Sequence, residues 1–352
     1  MRKALAIAER GRGRTSPNPM VGAVVVDQEG VIVGRGAHEF AGGPHAEVLA
    51  LADAGARSRG ATMYCTLEPC THIGRTGACA PLVAAAGIGR LVVANEDPNP
   101  IASGGNALLR AQGVDVSSGT LADEAARLNA PFFTLVRRRR PFITMKVALS
   151  LDGMMSAAPG LRTAITGAKA NRYVHRERAE VDAIAVGSGT VLVDDPLLNA
   201  RVAYRQRPLT RVIYDSRLRT PPTARLFSTL SDGPVIIMTD PQAVASAPDR
   251  AAALEQAGAK IEAIDSVHRL QASVEALGAA GVLSMIVEGG PTLHRSFRDA
   301  DLVDRVQMFV ARRRIGKGGL PWLGLESPRI TWDEPRQLAD DVLMEGHVHR
   351  AD

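Results

Sequence analysis

Short apolar runs alternate with helical patterns along the first part of the chain. The segments "MVGAVVVD", "ATMYCTL" and "RLVVAN" are strand-like, whereas "HAEVLALADAGA", "CAPLVAAAG" and "NALLRAQG" have helical spacing. Strands that alternate with helices are typical of an α/β domain. We therefore predict an α/β domain over residues 1–140.

A predicted domain boundary follows this first alternation of strands and helices. The stretch "LADEAARLNAPFFTLVRRRRP" predicts one helix that ends at four arginines, Arg137 to Arg140, in front of Pro141. We interpret the arginines as a solvated helix end beside a hinge rather than as a nucleic-acid patch. A second alternation then begins, which predicts a second α/β domain over residues 141–352. Its strand-like segments are "FITMKVALS", "VDAIAVGSG", "TRVIYD", "PVIIMT", "KIEAI", "SMIVEGG" and "RVQMFVA".

Composition restricts the function classes. The chain has 352 residues, of which 45% are hydrophobic, so it can bury substantial cores. No apolar stretch approaches the roughly 18 residues of a membrane span, and Glu9 and Arg10 interrupt the N-terminal apolar run before it resembles a secretory signal. The net charge of +5 is scattered and aromatic residues make up only 4%. We expect a cytoplasmic protein whose partner is a small phosphorylated molecule rather than nucleic acid or membrane.

All three cysteines lie in one stretch, "CTLEPCTHIGRTGAC", as Cys65, Cys70 and Cys79. Three thiols are too few for a disulfide framework, and clustered thiols in a reducing compartment more often bind metal. Upstream, His45 and Glu47 begin a helical pattern. One imidazole and two thiolates suit zinc and leave the fourth position for water, with Glu47 as the acid/base. We therefore predict His45, Cys70 and Cys79 as zinc ligands.

Other interpretations of the thiols remain open. Cys70 and Cys79 could form a disulfide, or Cys65 or His72 could complete a closed structural zinc site. Pro69 predicts that a helix begins at Cys70, where its N-terminus would stabilise a thiolate. Zinc deaminases have H-x-E followed by P-C-x-x-C, and in this chain the second cysteine comes later.

Four segments of the first half carry a family resemblance: "SPNPMVGAVVV", "GGPHAEVLAL", "TLEPCTHIGRTGAC" and "EDPNP". They resemble the deaminase half of the bifunctional deaminase-reductase of riboflavin biosynthesis, in which the cysteine spacing is also long. The resemblance implies a cytidine-deaminase-like three-layer fold and one zinc ion per chain. It also implies substrate contacts from Asn18, His72, Arg75, Asp97 and Asn99. His72 and Arg75 would contact the ribose phosphate and Asn18 the pyrimidine, although Asn18 between two prolines could equally be an ordinary turn residue.

The second half extends the match. "KVALSLDG", "DAIAVGSGTVLVDDPLLNAR", "VIYDSRLR" and "IVEGGPTLHRSF" resemble the reductase half of the same family, whose fold is similar to dihydrofolate reductase and which uses NADPH. No G-x-G-x-x-G follows a strand, so the pattern alone does not predict a nucleotide domain. The glycine turns in "EGGPTLHRS" and "VGSGTVL" suit a phosphate, although each turn alone is more typical of strand-to-helix packing.

The resemblance assigns residues to both reductase sites. The implied substrate contacts are Arg178, Leu198, Arg201 and Glu288. The implied cofactor contacts are Leu149, Thr190, Asp194, Ser216, Gly290, Pro291, Thr292, Leu293, His294, Arg295 and Ser296. Arg201 could instead be a solvated arginine after a turn. Glu288 and Lys146 lie in apolar strands, where a charge is costly without a partner or a task.

The chain also departs from the family. Where the reductase half usually has "S-x-W-I-T-G", this chain has "RTAITG", with Arg162 at the serine position and Ala164 at the tryptophan position. We expect consecutive deamination and NADPH-dependent reduction of a phosphorylated aminopyrimidine. Three alternatives remain: an impaired reductase, a nucleoside or tRNA-base deaminase with an appended domain, and a zinc-stabilised binding protein. The sequence leaves open whether identical chains assemble.

Overall fold

The computed structural model describes residues 1–72, 77–265, 267–322 and 330–349. The chain divides into two compact units, Met1–Arg139 and Arg140–Asp352. Within the described ranges, no helix combines the length and the apolar character that a membrane crossing requires.

The first unit is built on a five-stranded sheet with the order β2-β1-β3-β4-β5. Strand β1 is antiparallel to β2 and β3, and β3, β4 and β5 are parallel. The strands are β1 Gly22–Val26, β2 Ile32–Ala37, β3 Thr62–Leu67, β4 Arg90–Asn95 and β5 Asp115–Ser118. The α-helices are α1 Arg2–Ala8, α2 Ala46–Ala54, α3 Cys79–Ala85, α4 Gly105–Ala111, α5 Ala122–Leu128 and α6 Ala130–Arg138.

Helix α2 lies unusually close to the sheet. A Cβ atom added to Gly36 on β2 would lie 2.0 Å from the carbonyl oxygen of Ala46, the first residue of α2. Only glycine fits at such a contact, because real Cβ atoms do not approach a carbonyl so closely. This close packing fixes the start of α2, where His45 and Glu47 lie.

The single helix predicted before the arginine run is wrong, because the structure has two helices, α5 and α6, with Asn129 between them. The buried Asn129 side chain accepts a hydrogen bond from the Met20 N–H at 2.8 Å and donates one to the Met20 carbonyl at 2.9 Å. Asn129 therefore serves as a tertiary contact at the point where the helix is interrupted. Pro131, in the first turn of α6, suits a helix start because its missing N–H needs no partner there.

The second unit contains a ten-stranded sheet with the order β11-β10-β9-β8-β12-β6-β13-β17-β15, in which β16 also pairs with β17. The first seven strands in this order, from β11 at the edge to β13, pair in parallel. Strand β17 pairs antiparallel with β13, β15 and β16. The strands of this sheet are β6 Phe142–Ser150, β8 Ala183–Gly187, β9 Thr210–Tyr214, β10 Val235–Thr239, β11 Ala259–Ala263, β12 Ser284–Gly289, β13 Arg305–Ala311, β15 Ile330–Trp332, β16 Arg336–Leu338 and β17 Asp341–Val348. Strands β7 Met154–Ser156 and β14 Leu320–Pro321 form a separate antiparallel pair.

Helices cover this sheet over apolar clusters, of which one contains Phe297 and Met285, one contains Leu226 and Ile213, and one contains Val174 and Phe309. The α-helices are α7 Ala168–Glu180, α8 Ser188–Asp194, α9 Pro241–Ser246, α10 Pro248–Gln256, α11 Arg269–Ala279 and α12 Pro291–Asp299. In open sheets of this kind, ligands bind beyond the carboxyl ends of the parallel strands. The second unit therefore has one sheet edge at which a ligand site is expected.

The prediction that the arginine run is solvated is wrong for Arg140. Helix α6 ends at Arg138, and Arg140 is only 3% exposed. Its guanidinium donates two hydrogen bonds to the carboxylate of Asp304, at 2.6 and 2.9 Å, and the Ile143 N–H donates to the same carboxylate at 2.8 Å. Arg140 is thus a buried structural residue of the second unit.

Candidate active sites

Three potential zinc ligands meet in the first unit. His45 caps α2, Cys79 is the first residue of α3, and Cys70 lies in the segment between β3 and α3. The Nδ1 atom of His45 is 3.2 Å from the Sγ of Cys79 and 3.5 Å from the Sγ of Cys70. The ligand atoms all lie within 4.8 Å of one another, and no other such cluster occurs among the described residues.

The local structure around Cys70 differs from the prediction. The helix expected to begin at Cys70 begins at Cys79 instead, so that prediction is wrong. The backbone N–H of Cys79 points at the Sγ of Cys70 at 3.5 Å. Cys70 thereby receives a helix N–H from the neighbouring segment rather than from a helix of its own.

The cluster contains one thiol that ionises readily and one that holds the shared proton. A hydrogen bond with Cys79, assisted by His45, lowers the pKa of Cys70 to about 4, while the same shared proton raises the pKa of Cys79. The hydrogen bond with Cys70 raises the pKa of His45. A thiolate, a second thiol and an imidazole at this separation fit a borderline-soft ion such as zinc.

The alternative pairings of the thiols are not seen. All three cysteines are free, so Cys70 and Cys79 form no disulfide. Cys65 is fully buried on β3 and lies outside the donor cluster, as does His72. The cluster therefore offers three protein ligands, the number of a catalytic rather than a closed structural zinc site.

Glu47 lies in the first turn of α2 and is only 4% exposed. Burial raises its pKa to about 7, against the opposing effect of its own backbone N–H and His45. A carboxyl group with a pKa near neutrality can both accept and release a proton. The position and the protonation chemistry both suit the acid/base predicted from the sequence.

Asn18 is held by a histidine that the sequence did not single out. The Nε2 atom of His38 is 3.1 Å from the Asn18 Nδ2, and its Nδ1 is 3.0 Å from the carbonyl oxygen of Pro44. Because a carbonyl only accepts, Nδ1 carries the proton and Nε2 accepts from the Asn18 amide. Burial lowers the pKa of His38, which keeps this neutral form. No local signal in "GRGAHEF" indicates the role.

A second residue missed by the sequence analysis is Glu68, in "TLEPC". Its buried carboxylate accepts hydrogen bonds from the backbone N–H groups of Asp97 at 3.0 Å, Gly104 at 3.2 Å and Asn106 at 2.8 Å. Asp97 in turn accepts from the Asn99 N–H at 2.8 Å. Glu68 thus anchors the loop that carries the predicted rim residues Asp97 and Asn99.

Two residues, His72 and Arg75, are predicted to contact the substrate phosphate. Arg75 lies outside the described residues. His72 is described and lies near Asp97, whose pKa is raised to about 6, chiefly by burial. The Nδ1 atom of His72 is buried, and none of the described residues offers it a hydrogen-bond partner.

The second unit contains a cavity of about 1120 Å³ at the carboxyl ends of its parallel strands. This volume exceeds the roughly 300–1,000 Å³ of a typical small-molecule site, so it can hold a cofactor and a substrate together. The predicted residues that line it are Arg178, Leu198, Arg201, Glu288, Thr190, Asp194, Ser216, Gly290, Pro291, Thr292, Leu293 and Ser296. The predicted contacts Leu149, His294 and Arg295 are not among its lining residues. His294 is buried and contacts the Val287 carbonyl at 3.3 Å.

A buried charge cluster occupies one side of this cavity. Arg178 on α7 binds Glu288 on β12 through two hydrogen bonds of 2.6 Å, Nε to Oε1 and Nη2 to Oε2. Lys146 lies on the neighbouring strand β6, where Met145 is in register with Val287, so Lys146 and Glu288 are the next residues along paired strands. The charges that sequence analysis found unexplained in apolar strands thus lie beside each other.

The cluster shifts the pKa values of its members. Burial acts to raise the pKa of Glu288, but Arg178 and Lys146 outweigh it and hold that pKa at about 2. Burial lowers the pKa of Lys146, with Glu288 opposing and Arg178 reinforcing the shift. An ionised carboxylate therefore faces a lysine that releases its proton more readily than usual.

Arg201 lies in a turn, is exposed to solvent and also lines the cavity. Its Nη1 donates to the Oδ1 of Asn199 at 3.1 Å, and the Asn199 carbonyl accepts from Arg178 at 3.1 Å. Burial lowers the pKa of Arg201, and the positive charges of Arg178, Arg225 and Arg162 lower it further. Such a concentration of positive charge favours an anionic ligand.

A glycine turn leads from β12 into α12. Gly290 has a φ of +78°, and a Cβ atom added to Gly289 would lie 3.1 Å from the Thr190 hydroxyl oxygen. A side chain at Gly289 would press on Thr190, and one at Gly290 would have to adopt a left-handed backbone; both glycines line the cavity in front of Pro291, where α12 begins. A turn of this kind fits a dinucleotide phosphate.

Both departures from the family pattern, Arg162 and Ala164, line the same cavity. Burial raises the pKa of Asp194, and the Arg162 charge opposes this rise, which places the guanidinium near Asp194. The Ala164 carbonyl accepts a hydrogen bond from Arg313. A tryptophan at position 164 would therefore border the cavity, whereas alanine leaves that space open.

Comparisons with known proteins match both units. Residues 1–95 match the cytidine and deoxycytidylate deaminase zinc-binding region, and residues 141–343 match the RibD C-terminal domain. The riboflavin biosynthesis protein RibD of Aquifex aeolicus is 38% identical over 98% of this chain and 96% of its own. The Escherichia coli RibD is 38% identical over 98% of this chain and 97% of its own.

Solved structures resemble the whole chain. Acinetobacter baumannii RibD superposes with a TM-score of 0.88 at 32% identity, over 99% of this chain and 98% of its own. A Thermotoga maritima structure described as a diaminohydroxyphosphoribosylaminopyrimidine deaminase/5-amino-6-(5-phosphoribosylamino)uracil reductase has a TM-score of 0.85 at 32% identity, over 99% and 97% of the two chains. The similarity therefore extends over both units.

Proposed function

Since the chain belongs to the RibD family of riboflavin biosynthesis proteins, we propose which residues in its two units carry out the consecutive deamination and reduction. The chain is a bifunctional enzyme with a cytidine-deaminase-like zinc domain and a C-terminal reductase domain of the dihydrofolate-reductase type. The substrate is a small aminopyrimidine. Its proposed identity is the 5′-phosphate of 2,5-diamino-6-ribosylamino-4(3H)-pyrimidinone.

The deaminase site is proposed to use His45, Cys70 and Cys79 as zinc ligands, with residues 1–140 as the deaminase domain. The observation that supports this is the three-donor cluster beside a buried carboxyl group. Zinc, when bound, supplies the Lewis acidity that lowers the pKa of a water molecule. Glu47 accepts the proton of the attacking water and delivers it to the amino group, which leaves as ammonia.

Two parts of the first unit are proposed to orient the substrate, the His38–Asn18 pair and the loop held by Glu68. The His38 ring takes a hydrogen bond from the Asn18 amide nitrogen, and this leaves the Asn18 carbonyl oxygen for a pyrimidine N–H donor. Glu68 holds the loop with Asp97 and Asn99 at the rim. His72 and Arg75 are proposed to bind the ribose phosphate, an assignment that rests on the sequence resemblance.

The reductase site is proposed to occupy the cavity of the second unit, in a domain of residues 141–352. NADPH, when bound, supplies a hydride for C1′ of the ribosyl group. Lys146 donates a proton to the ribose ring oxygen as its bond to C1′ opens, which yields the ribityl chain. Glu288 favours the charged form of Lys146 against the effect of burial, and Arg178 fixes Glu288. Arg201 and Leu198 line the substrate end.

The cofactor phosphates are assigned to the glycine turn in front of α12. The open backbone at Gly289 and Gly290 lies against Thr190, and Ser216 and Asp194 line the same cavity. An arrangement of backbone N–H donors at a helix start with a hydroxyl opposite suits a pyrophosphate. Leu149, His294 and Arg295 would contact the cofactor only through their backbone, at the margin of the cavity.

One experiment tests both activities on the full chain. The aminopyrimidine phosphate is supplied with and without NADPH, and ammonia release and NADPH consumption are followed together. We expect ammonia release in both mixtures. In the mixture that contains NADPH, we also expect NADPH to be consumed. Absence of ammonia release from zinc-loaded protein would contradict the deaminase assignment, and ammonia release without NADPH consumption would contradict the reductase assignment.

A further inference from the structure

His175 lines the cavity of the second unit but has no part in the reaction proposed above. It lies on α7, one turn before Arg178, and is only 8% exposed. Its Nδ1 is 3.1 Å from the carbonyl oxygen of Asn199, which also accepts a hydrogen bond from Arg178 at 3.1 Å. The imidazole and the guanidinium are therefore held side by side on one backbone carbonyl.

The contact with Asn199 fixes which ring nitrogen of His175 carries the proton. A carbonyl oxygen only accepts, so Nδ1 is the donor and Nε2 keeps its lone pair. Burial lowers the pKa of His175 below its ordinary 6.5, and the charges of Arg178 and Arg201 lower it further. The Asn199 hydrogen bond and the charge of Glu288 oppose this shift without reversing it. The ring is therefore a neutral hydrogen-bond acceptor at neutral pH.

The Nε2 atom of His175 is accessible to a ligand. No described residue donates a hydrogen bond to it, and it is not among the enclosed polar atoms without a partner, which include the Nδ1 of His294. Because the His175 side chain lines the cavity, a molecule bound there can reach this nitrogen. The structure thus leaves one oriented acceptor unused on the cavity wall.

The position of His175 corresponds to the middle of the proposed substrate. The reaction takes place at C1′ of the sugar, beside Glu288 and its partner Arg178, whereas the positive charge around Arg201 favours the 5′-phosphate. Asn199 joins these two ends, because its carbonyl accepts from Arg178 and its side chain accepts from Arg201 at 3.1 Å. His175 is bound to the same carbonyl, so it faces the part of the sugar that carries the 2′- and 3′-hydroxyl groups.

A sugar hydroxyl in this position needs an acceptor for its own proton. Arginine side chains are donors only, and both carboxylate oxygens of Glu288 are already bound to Arg178. We infer that the Nε2 atom of His175 accepts a hydrogen bond from a ribose hydroxyl group, at C2′ or C3′, and thereby recognises the sugar of the reductase substrate. The inference rests on the proposed position of the substrate in this cavity. Asn199 is a positioning residue, because its carbonyl sets the tautomer and the orientation of the ring.

Inhibition of NADPH oxidation by small sugar phosphates tests this contact on the full chain. Ribose 5-phosphate, 2-deoxyribose 5-phosphate and 3-deoxyribose 5-phosphate compete with the deaminated substrate, so the assay counts only binding in the reductase site. In the unaltered chain we expect one of the two deoxy sugars to bind about two- to tenfold more weakly than ribose 5-phosphate, the range of one neutral hydrogen bond. His175→Phe should weaken ribose 5-phosphate by the same factor and should leave that deoxy sugar within about twofold.

His175→Gln should retain most of the discrimination, because a glutamine amide can donate to the Asn199 carbonyl and still accept through its oxygen. Arg172→Ala is the matched control, since Arg172 is an exposed residue of α7 that does not line the cavity. It should change none of the inhibition constants.

Three results would overturn the inference: equal inhibition of the unaltered chain by all three sugars, unchanged binding of ribose 5-phosphate in His175→Phe, or an equal loss of all three sugars in that variant. The last result would show that His175 acts on the fold or on the phosphate. If none of the sugars inhibits the unaltered chain while NADPH oxidation proceeds, the proposed position of the substrate fails and the inference fails with it.

Discussion

Arg178 and Glu288 form a two-point ion pair in which both hydrogen bonds measure 2.6 Å, and both side chains are at most 12% exposed. Glu288 is also the carboxylate beside Lys146, so one anion faces two cations. Removal of one partner from a buried pair leaves an uncompensated charge. The pair therefore links the stability of the second unit to the chemistry of its cavity.

Glu288→Gln should lower the free energy of unfolding of the second unit by about 3–5 kcal/mol, the usual cost of a broken buried pair. NADPH consumption should be lost, whereas ammonia release from the first unit should persist. Denaturant unfolding and the two assays measure these effects. Glu275→Gln, which alters an exposed carboxylate on α11, is the control and should change neither. Full reductase activity in Glu288→Gln would refute the role of the pair.

The pH dependence of reduction should report on Lys146. Burial lowers its pKa from the ordinary 10.5, and the proton donor is the ammonium form. The rate of NADPH oxidation should therefore fall as pH rises through this pKa, and the fall should begin below pH 10.5. Lys146→Arg should move this alkaline limb beyond the measured range, because arginine stays protonated.

The matching control for that profile is the deaminase of the same protein, since Lys146 belongs to the second unit. Its pH profile should be identical in the unaltered chain and in Lys146→Arg. An alkaline limb of NADPH oxidation at the same pH in both proteins would exclude Lys146 as the titrating donor.

Substitutions can distinguish the proposed zinc ligands from the third cysteine. Cys79→Ala should lose the bound metal and all ammonia release, because two donors remain from a set of three. Cys65→Ala should retain one zinc per chain, since Cys65 lies outside the donor cluster. Glu47→Gln should retain the zinc and lose deamination, because an amide cannot shuttle a proton. Metal analysis by mass spectrometry decides these cases, and loss of zinc from Cys65→Ala would favour a closed structural site.

Stability of the second unit should depend on an ion pair at its first residue. Asp304→Asn leaves Arg140, which is 3% exposed, without its carboxylate, and we expect a loss of about 3–5 kcal/mol in the free energy of unfolding. Arg139→Ala is the control, since Arg139 is exposed at the end of α6. Urea denaturation compares the two, and equal midpoints would show that the Arg140–Asp304 pair contributes nothing.

Local patterns predicted the parts of the molecule that depend on nearby residues. Strands β1, β3, β4, β6 and β8 to β13 follow from apolar runs, and the grouping of His45, Cys70 and Cys79 follows from two short motifs. The helix that was expected at Cys70 shows the limit of this reasoning. A proline before a residue suits a helix start, but the segment that actually begins the helix is set by tertiary packing.

Contacts between distant residues could not be predicted. Asn129 interrupts a helical pattern because its side chain binds Met20, 109 positions away. Arg140 is buried because Asp304 lies beside it, 164 positions away. The roles of His38 and Glu68 depend in the same way on groups that only the fold brings together, so no spacing or periodicity in the sequence marks them.

Ala164 borders the reductase cavity at a position where the family usually has tryptophan, and this difference predicts weaker cofactor binding. A tryptophan there would restore stacking area, and aromatic pairs contribute about 0.5–1.5 kcal/mol beyond burial, equivalent to about a two- to tenfold change in affinity. Ala164→Trp should therefore lower the dissociation constant of NADPH and the KM for NADPH by this factor, with kcat little changed.

Arg162→Ser, at the other departure, should weaken binding, because a guanidinium pairs with a phosphate more strongly than a hydroxyl does. Fluorescence titration with NADPH measures both variants, and Leu161→Ala, which alters an exposed neighbour on the cavity wall, is the control. Tighter binding in Arg162→Ser would show that Arg162 obstructs the cofactor instead of compensating for the missing ring.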